Sequence, residues 1–258
     1  MKSLMEIAIE TAIVAGKRIL EIYKEDDFQT ELKEDDTPIT RADKAAHEII
    51  TTELAKTAIP VISEEGKIKD YSERKEWQQF WLVDPLDGTK EFVKKNGEFT
   101  VNIALIENNK PTIGVIYVPV TGELYYGEVG EKAIKTQHKG TAEEIKLQLP
   151  LIKNRNDKCI VVGSRSFKDA TTEQYIKEIP QEVEIVSRGS SLKLCMIAEG
   201  TADIYPRFVH LKEWDIAAGV AIVLASGGKV TNAETETKQE INFNSETLEA
   251  PFFIAKAK

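Results

Sequence analysis

Trp81-Leu82-Val83-Asp84-Pro85-Leu86-Asp87-Gly88-Thr89 carries an apolar run into two aspartates three residues apart. The run has strand composition, and the proline and glycine that follow make a tight turn where the strand ends. Proline fixes that turn and glycine permits close backbone approach. Both carboxylates can then converge on the same cations while the following amides point at a phosphate. The carbonyl of Leu86 offers a further hard oxygen. Asp-Pro and Asp-Gly pairs are also frequent in turns that only turn, so this stretch alone leaves both readings open.

Acids recur at the ends of other elements. Ser63-Glu64-Glu65-Gly66 follows a short apolar run ending at Ile62, and Trp214-Asp215 opens the last apolar helix. Paired glutamates often form a solvated turn, and an aspartate ahead of a helix is usually a cap. Thr40 and Asp43 have the spacing of a capping box at the start of a helix over residues 41–56, which accounts for an acid at 43 without any chemistry. Three strand or helix ends nevertheless each present a carboxylate.

The chain around these ends reads as two lobes. At the N-terminus Leu4, Ile7, Thr11, Val14, Arg18 and Ile22 recur at helical spacing, flanked by Ala8, Ala15 and Ile19, and predict an amphipathic helix. Residues 24–36 are polar and predict a loop or edge hairpin. Residues 59–62, 80–83, 100–106, 111–118 and 123–129 have strand composition, and Asn108-Asn109 and Thr121-Gly122 predict antiparallel hairpins among the last three. Residues 1–150 are thus expected to form an α+β lobe carrying most of the acids. Beyond Leu149, a strand over 159–163, a helix over 170–179, a strand over 184–186 and a helix over 192–198 predict an α/β lobe with parallel pairing, residues 151–258, packed with the first as one unit. A strongly apolar helix over 215–226 ends at Gly227-Gly228.

Composition bounds the partners. The 258 residues are 41% hydrophobic, enough for a sizeable core, and the formal charge of −9 does not supply the basic surface that a nucleic-acid polymer requires. Glu6, Glu10, Lys17 and Arg18 interrupt the apolar positions of the first helix, which excludes the core of a signal peptide or a stable membrane insertion. The expected home is the cytoplasm, with peripheral association at the inner membrane left open. Cys159 and Cys195 lie apart in apolar stretches without metal spacing and are expected as buried reduced thiols. His47, His138 and His210 are expected on surfaces or helix faces.

Ordered along the chain, Thr37-Pro-Ile-Thr-Arg-Ala-Asp43, Ile62-Ser-Glu-Glu65, residues 81–92, residues 96–104, Gly189-Ser-Ser-Leu-Lys193, residues 198–208 and Glu213-Trp-Asp-Ile-Ala-Ala-Gly219 resemble the inositol monophosphatase superfamily of lithium-sensitive, magnesium-dependent phosphatases. Lys90-Glu91-Phe92 after the Asp-Gly-Thr turn resembles its branch of bacterial 3'(2'),5'-bisphosphate nucleotidases, the CysQ type. The resemblance spans nearly the whole chain. It implies the layered αβαβα sugar-phosphatase fold and two or three Mg2+ ions held by Glu64, Asp84, the Leu86 carbonyl, Asp87 and Asp215. It also implies a substrate phosphate that bridges those ions and meets the Gly88 and Thr89 amides, with Asp43 and the Thr89 hydroxyl orienting and deprotonating the attacking water. Glu65 is expected to tune the metal site from behind the ligands, or simply to be solvated. No phosphoenzyme, and so no nucleophilic histidine or cysteine, is expected.

The implied reaction removes the 3'-phosphate of adenosine 3',5'-bisphosphate, a by-product of sulfate assimilation or sulfotransfer, to give AMP. The substrate is a small molecule, handled by a monomer or homodimer. Gly189, Ser190 and Lys193 put hydroxyl and ammonium groups where a ribose and a second phosphate can be met, alongside Glu64, Leu86, Asp87, Gly88, Thr89 and Asp215. Ser164-Arg165-Ser166 and Tyr205-Pro206-Arg207-Phe208 offer a guanidinium and aromatic faces, although many relatives carry a histidine where this chain has Phe167. An inositol- or sugar-phosphate phosphatase on the same scaffold is the neighbouring alternative. A non-catalytic metal-dependent nucleotide-binding protein is the alternative of another class.

Overall fold

The structure, a computed structural model, describes residues 2–25, 31–32, 38–138, 146–151, 158–163, 169–237 and 239–258. Helix α1 (Leu4–Tyr23) starts at a Ser3–Glu6 capping box, and strands β1 (Glu31–Leu32) and β2 (Pro38–Ile39) pair antiparallel before α2 (Arg41–Ala55). After them come β3 (Val61–Ser63), the short α3 (Tyr71–Arg74), β4 (Gln79–Asp87), the short α4 (Thr89–Val93), β5 (Thr100–Glu107), β6 (Lys110–Val118), β7 (Glu123–Glu128), β8 (Ala133–Gln137) and β9 (Leu147–Gln148). Strands β3 to β9 lie side by side in chain order in one seven-stranded sheet. The predicted β5-β6-β7 hairpins are present, while β8 and β9 extend the sheet beyond the sequence expectation.

The remaining elements are β10 (Lys158–Gly163), α5 (Ala170–Lys177), β11 (Glu182–Ser187), α6 (Leu192–Glu199), β12 (Ile204–Arg207), β13 (Leu211–Lys212), α7 (Glu213–Ala225), β14 (Lys229–Asn232), β15 (Glu249–Ala250) and β16 (Phe253–Lys256). A five-stranded sheet runs in the order β11-β10-β12-β16-β14. Its β10 pairs parallel with β11 and β12, as expected, but β16 pairs antiparallel with both β12 and β14. The small sheet is therefore mixed. The return strands β14 and β16 are short, and the sequence reading passed over them.

Helices α1 and α2 cover one face of the large sheet, α6 and α7 fill the space between the two sheets, and α5 packs on β12 of the small sheet. The layering is αβαβα. Both faces of the large sheet are covered, so its strands read as continuous apolar runs although most pair antiparallel. Alternation sorts the side chains: Trp81 and Val83 of β4 face α1 and α2, while Phe80 and Leu82 face α7. Each such large apolar side chain contributes roughly 1.5–3 kcal/mol by its burial.

Helix α1 buries the expected flank and part of the expected stripe, but leaves Val14 outside it. Ala8, Thr11, Ala12, Ala15, Gly16, Ile19 and Ile22 are buried, whereas Val14 is 49% exposed. Small residues let the helix lie close on the sheet: a Cβ at Gly16 would sit 2.5 Å from the Tyr117 ring. Helix α7 is buried along most of its length between the sheets, and it ends at Gly227 with φ +88° as expected. No helix of the described residues is long and apolar enough to cross a membrane.

Candidate active site

Strand β4 delivers the two aspartates with a break in its ladder. Asp84 pairs with Asn102 and Asp87 with Thr100, so three steps on β4 match two on β5. Pro85 has no N–H to give the ladder, and the extra residue bulges there. In a regular strand, positions 84 and 87 point to opposite faces. The bulge restores their parity, and both line one cavity of about 500 Å³.

The other acids arrive from neighbouring elements. Parallel pairing of Ser63 with Val83 sets Glu64 level with Asp84, and the Glu64 N–H donates to the Val83 carbonyl at 3.1 Å. Asp215 comes from the first turn of α7, where the Lys212 N–H donates to its Oδ2 at 2.9 Å. One carboxylate oxygen each from Glu64, Asp84 and Asp215 lies within 4.8 Å of the others. Burial first, then Glu64, Asp87 and Asp215, push the Asp84 carboxyl well above the usual carboxylate range. Burial first, then Asp87 and Glu64, push Asp215 up to about 8, against the opposing Lys212 hydrogen bond. A pocket of hard oxygens that repel one another fits a divalent cation. The Leu86 carbonyl belongs to a residue of the same wall.

Asp87 is held differently. Its Oδ2 accepts hydroxyls from Ser190 at 2.7 Å and Ser191 at 2.7 Å, with the Asn102 amide at 3.4 Å. Asn102 also donates to Ser191 at 2.6 Å, and Thr100 lies 2.7 Å from Ser190. The segment after Arg188 thus braces Asp87 from the second lobe. Ser191, Asn102 and Thr100 are absent from the sequence-derived site. The signal of Thr100 and Asn102 was two polar residues alternating within the otherwise apolar strand β5, directly opposite the acids.

Gly88 has φ +97° at the start of α4, a conformation glycine adopts without strain, and Thr89 follows on the cavity wall. The Thr89 hydroxyl donates to Asp43 Oδ1 at 3.1 Å, with the Leu86 carbonyl farther off at 3.4 Å. Asp43 lies behind Thr89 in α2, 2% exposed. Its Oδ2 completes the predicted capping box with the Thr40 amide and hydroxyl. Burial raises its carboxyl above the usual range against those hydrogen bonds.

Ser190 and Lys193 line the cavity, as do Lys90, Tyr205, Arg207 and Trp214. The Lys193 ammonium donates to the carbonyl of Ser190 at 2.7 Å and of Arg188 at 3.4 Å, and burial lowers its pKa. The Gly189 amide is taken by Glu98 at 2.9 Å. Phe208 packs on Tyr175 and Phe252, and Glu65 is half-buried beside Glu64. Residues 164–168 lie outside the described residues. His47 pairs with Ser63 at 2.8 Å, His210 stacks on Phe252, and neither these two nor His138 lines the cavity. Cys159 and Cys195 are buried and not joined in a disulfide.

A model of the inositol monophosphatase family matches residues 1–257. The chain is 42% identical over 237 residues to a Salmonella typhimurium protein named 3'(2'),5'-bisphosphate nucleotidase CysQ, covering 91% of this chain and 92% of that one. The Escherichia coli K12 protein of the same name is 42% identical over 219 residues, 84% of this chain and 85% of its own. Among solved structures, CysQ from Bacteroides thetaiotaomicron, described as a bacterial member of the inositol monophosphatase family, superposes with TM-score 0.88 at 45% identity, over 98% of this chain and 97% of that one. The extragenic suppressor protein suhB of Bartonella henselae superposes with TM-score 0.77 at 26% identity, over 100% of this chain and 95% of its own.

Proposed function

The chain belongs to the inositol monophosphatase family, and from that premise we propose that it is a magnesium-dependent phosphoric monoester hydrolase that converts adenosine 3',5'-bisphosphate to AMP and phosphate. The observation that carries this reading is the convergence of Glu64, Asp84 and Asp215 on one cavity, with Thr89 on its wall hydrogen-bonded to Asp43. The substrate follows the 3'(2'),5'-bisphosphate nucleotidases that are 42% identical to this chain over the aligned residues.

Glu64, Asp84, Asp87 and Asp215, with the Leu86 carbonyl, are the groups that would hold two or three Mg2+ ions. When bound, such ions neutralise phosphate charge and make a coordinated water more acidic. The protein's own part is proton transfer and placement. Asp43 Oδ2 is saturated by Thr40, which leaves Oδ1 to take the Thr89 proton as Thr89 Oγ1 takes one from the attacking water. Asp43 must be ionised for this. Burial opposes its ionisation and raises its carboxyl above the usual range, and the hydrogen bonds from Thr40 and Thr89 counter part of that rise. Gly88 and Thr89 cradle the scissile phosphate, and Lys193 with Ser190 stands where a second phosphate or the ribose is met.

The test is phosphate release from adenosine 3',5'-bisphosphate, inositol 1-phosphate and fructose 1,6-bisphosphate in parallel, with Mg2+, with chelator and with Li+ added. Preference for the nucleotide, lost with chelator and weakened by lithium, is expected. Preference for another ester moves the substrate and keeps the chemistry. Inactivity on all three with intact Mg2+ binding makes the protein a metal-dependent binder.

A further inference from the structure

We infer that Glu213 and Arg74 are positioning residues for the metal centre, which hold the start of α7, and with it Asp215, against the strand that carries Asp84. The inference rests on the metal-dependent reading above. Glu213 is 0% exposed and Arg74 2% exposed, yet neither lines the acidic cavity.

The two charges meet across residues 244–246. Glu213 Oε2 accepts the Asn244 N–H at 2.6 Å and Oε1 the Ser245 N–H at 2.8 Å, while the Glu213 amide donates to the Leu248 carbonyl at 2.9 Å. On the other side, Arg74 Nη1 donates to Asn244 Oδ1 at 2.7 Å and to the Ser245 carbonyl at 2.8 Å, and Nη2 to the Glu246 carbonyl at 2.6 Å. Asn244 returns a bond from Nδ2 to the Arg74 carbonyl at 2.7 Å. Arg74 closes α3, just ahead of β4. Glu213 opens α7, and Asp215 is fixed to the same first turn through the Lys212 amide.

Burying a carboxylate and a guanidinium is costly, and a well-packed apolar pair often serves stability as well or better. A buried hydrogen-bonded network favours a single geometry; here both Arg74 Nη atoms and both Glu213 oxygens are engaged, while Arg74 Nε has no partner among the described residues. Glu64 and Asp84 arrive on the large sheet and Asp215 on a helix from the second lobe, and their oxygens must agree within 4.8 Å. The Arg74–Asn244–Glu213 network is a buried tie between the segment leading into β4 and the start of α7.

The test is Mn2+ binding to the metal-free full-length protein, measured by electron paramagnetic resonance of the free ion, beside its thermal unfolding. Glu213→Gln turns an amide NH2 toward one of the two loop N–H donors. It is expected to weaken Mn2+ binding at least about tenfold, the scale seen when groups behind metal ligands are changed. Asn244 has φ +76°, which glycine tolerates, so Asn244→Gly removes both side-chain bonds between residue 244 and Arg74 without backbone strain, leaving those to the Ser245 and Glu246 carbonyls, and it carries the same expectation if Glu213→Gln does not fold. A folded variant that unfolds earlier yet binds Mn2+ as the wild type does overturns the inference, since a purely structural network would do that. A wild type that binds no Mn2+ overturns instead the metal site on which the inference rests.

Discussion

The Thr89 hydroxyl reaches Asp43 Oδ1 at 3.1 Å across 46 residues of sequence, while Asp43 Oδ2 closes a capping box with Thr40. One carboxylate therefore caps a helix with one oxygen and faces the cavity's threonine with the other. Asp43→Asn keeps an oxygen acceptor for the cap but removes the base. Phosphate release is expected to fall about 10²–10⁴-fold with the thermal midpoint nearly unchanged. A variant that retains turnover would remove Asp43 from the chemistry.

The raised carboxyls give the metal-free protein a definite pH dependence. Asp215 is pushed up to about 8 from 3.8, and Asp84 and Asp43 shift the same way. Between the unfolded and folded values the native state binds more protons than the unfolded chain, so unfolding free energy falls as pH rises through that window. In chelator, the unfolding midpoint is expected to be higher near pH 5.5 than near pH 8, and added Mg2+ should lift the pH 8 value most. A midpoint that climbs with pH in chelator would contradict the clustered acids.

Asp87 depends on hydroxyls from the second lobe. Ser191→Ala removes one donor to its Oδ2 and strips the Asn102 amide of an acceptor. The Mg2+ concentration for half-maximal turnover should rise about tenfold. An unchanged Mg2+ titration would mean that this bracing does not reach the metals.

Strand β6 touches α7 through Gly114. A Cβ there would lie 2.2 Å from the Ala218 carbonyl and 2.9 Å from the Ala221 Cβ, and a backbone atom in mid-helix cannot step aside. Gly114→Ala is expected to cost about 1–3 kcal/mol, read from the urea midpoint at constant slope. An unmoved midpoint would place α7 farther from the sheet.

Much of the site was legible because its acids stand at element ends with sharp local signatures: Asp84 and Asp87 around a proline, Asp43 in a capping box, Asp215 opening an apolar helix. The bracing residues were not. Ser191 and Glu213 act through partners far away in the chain, which no local pattern announces, and Asn102, a polar residue in an apolar strand, marks its position but not its partner. The stripe of α1 was misread toward Val14 because the close approach is made by alanines and Gly16, which weigh little in a hydrophobic pattern. Strands β14 and β16, of four residues each, lie beyond the strands expected from composition.

By itself the sequence determined the longer helices and the central strands in their order, the residue types able to hold a cation, and the family. Periodicity, caps and turn residues act over a few positions and are written locally. Only the tertiary structure decided that the bulge at Pro85 returns Asp84 and Asp87 to one face, that parallel pairing levels Glu64 with Asp84, and that α7 brings Asp215 to both. Those relations depend on register and packing between elements, and no short stretch of chain encodes the distance between two of its neighbours in space.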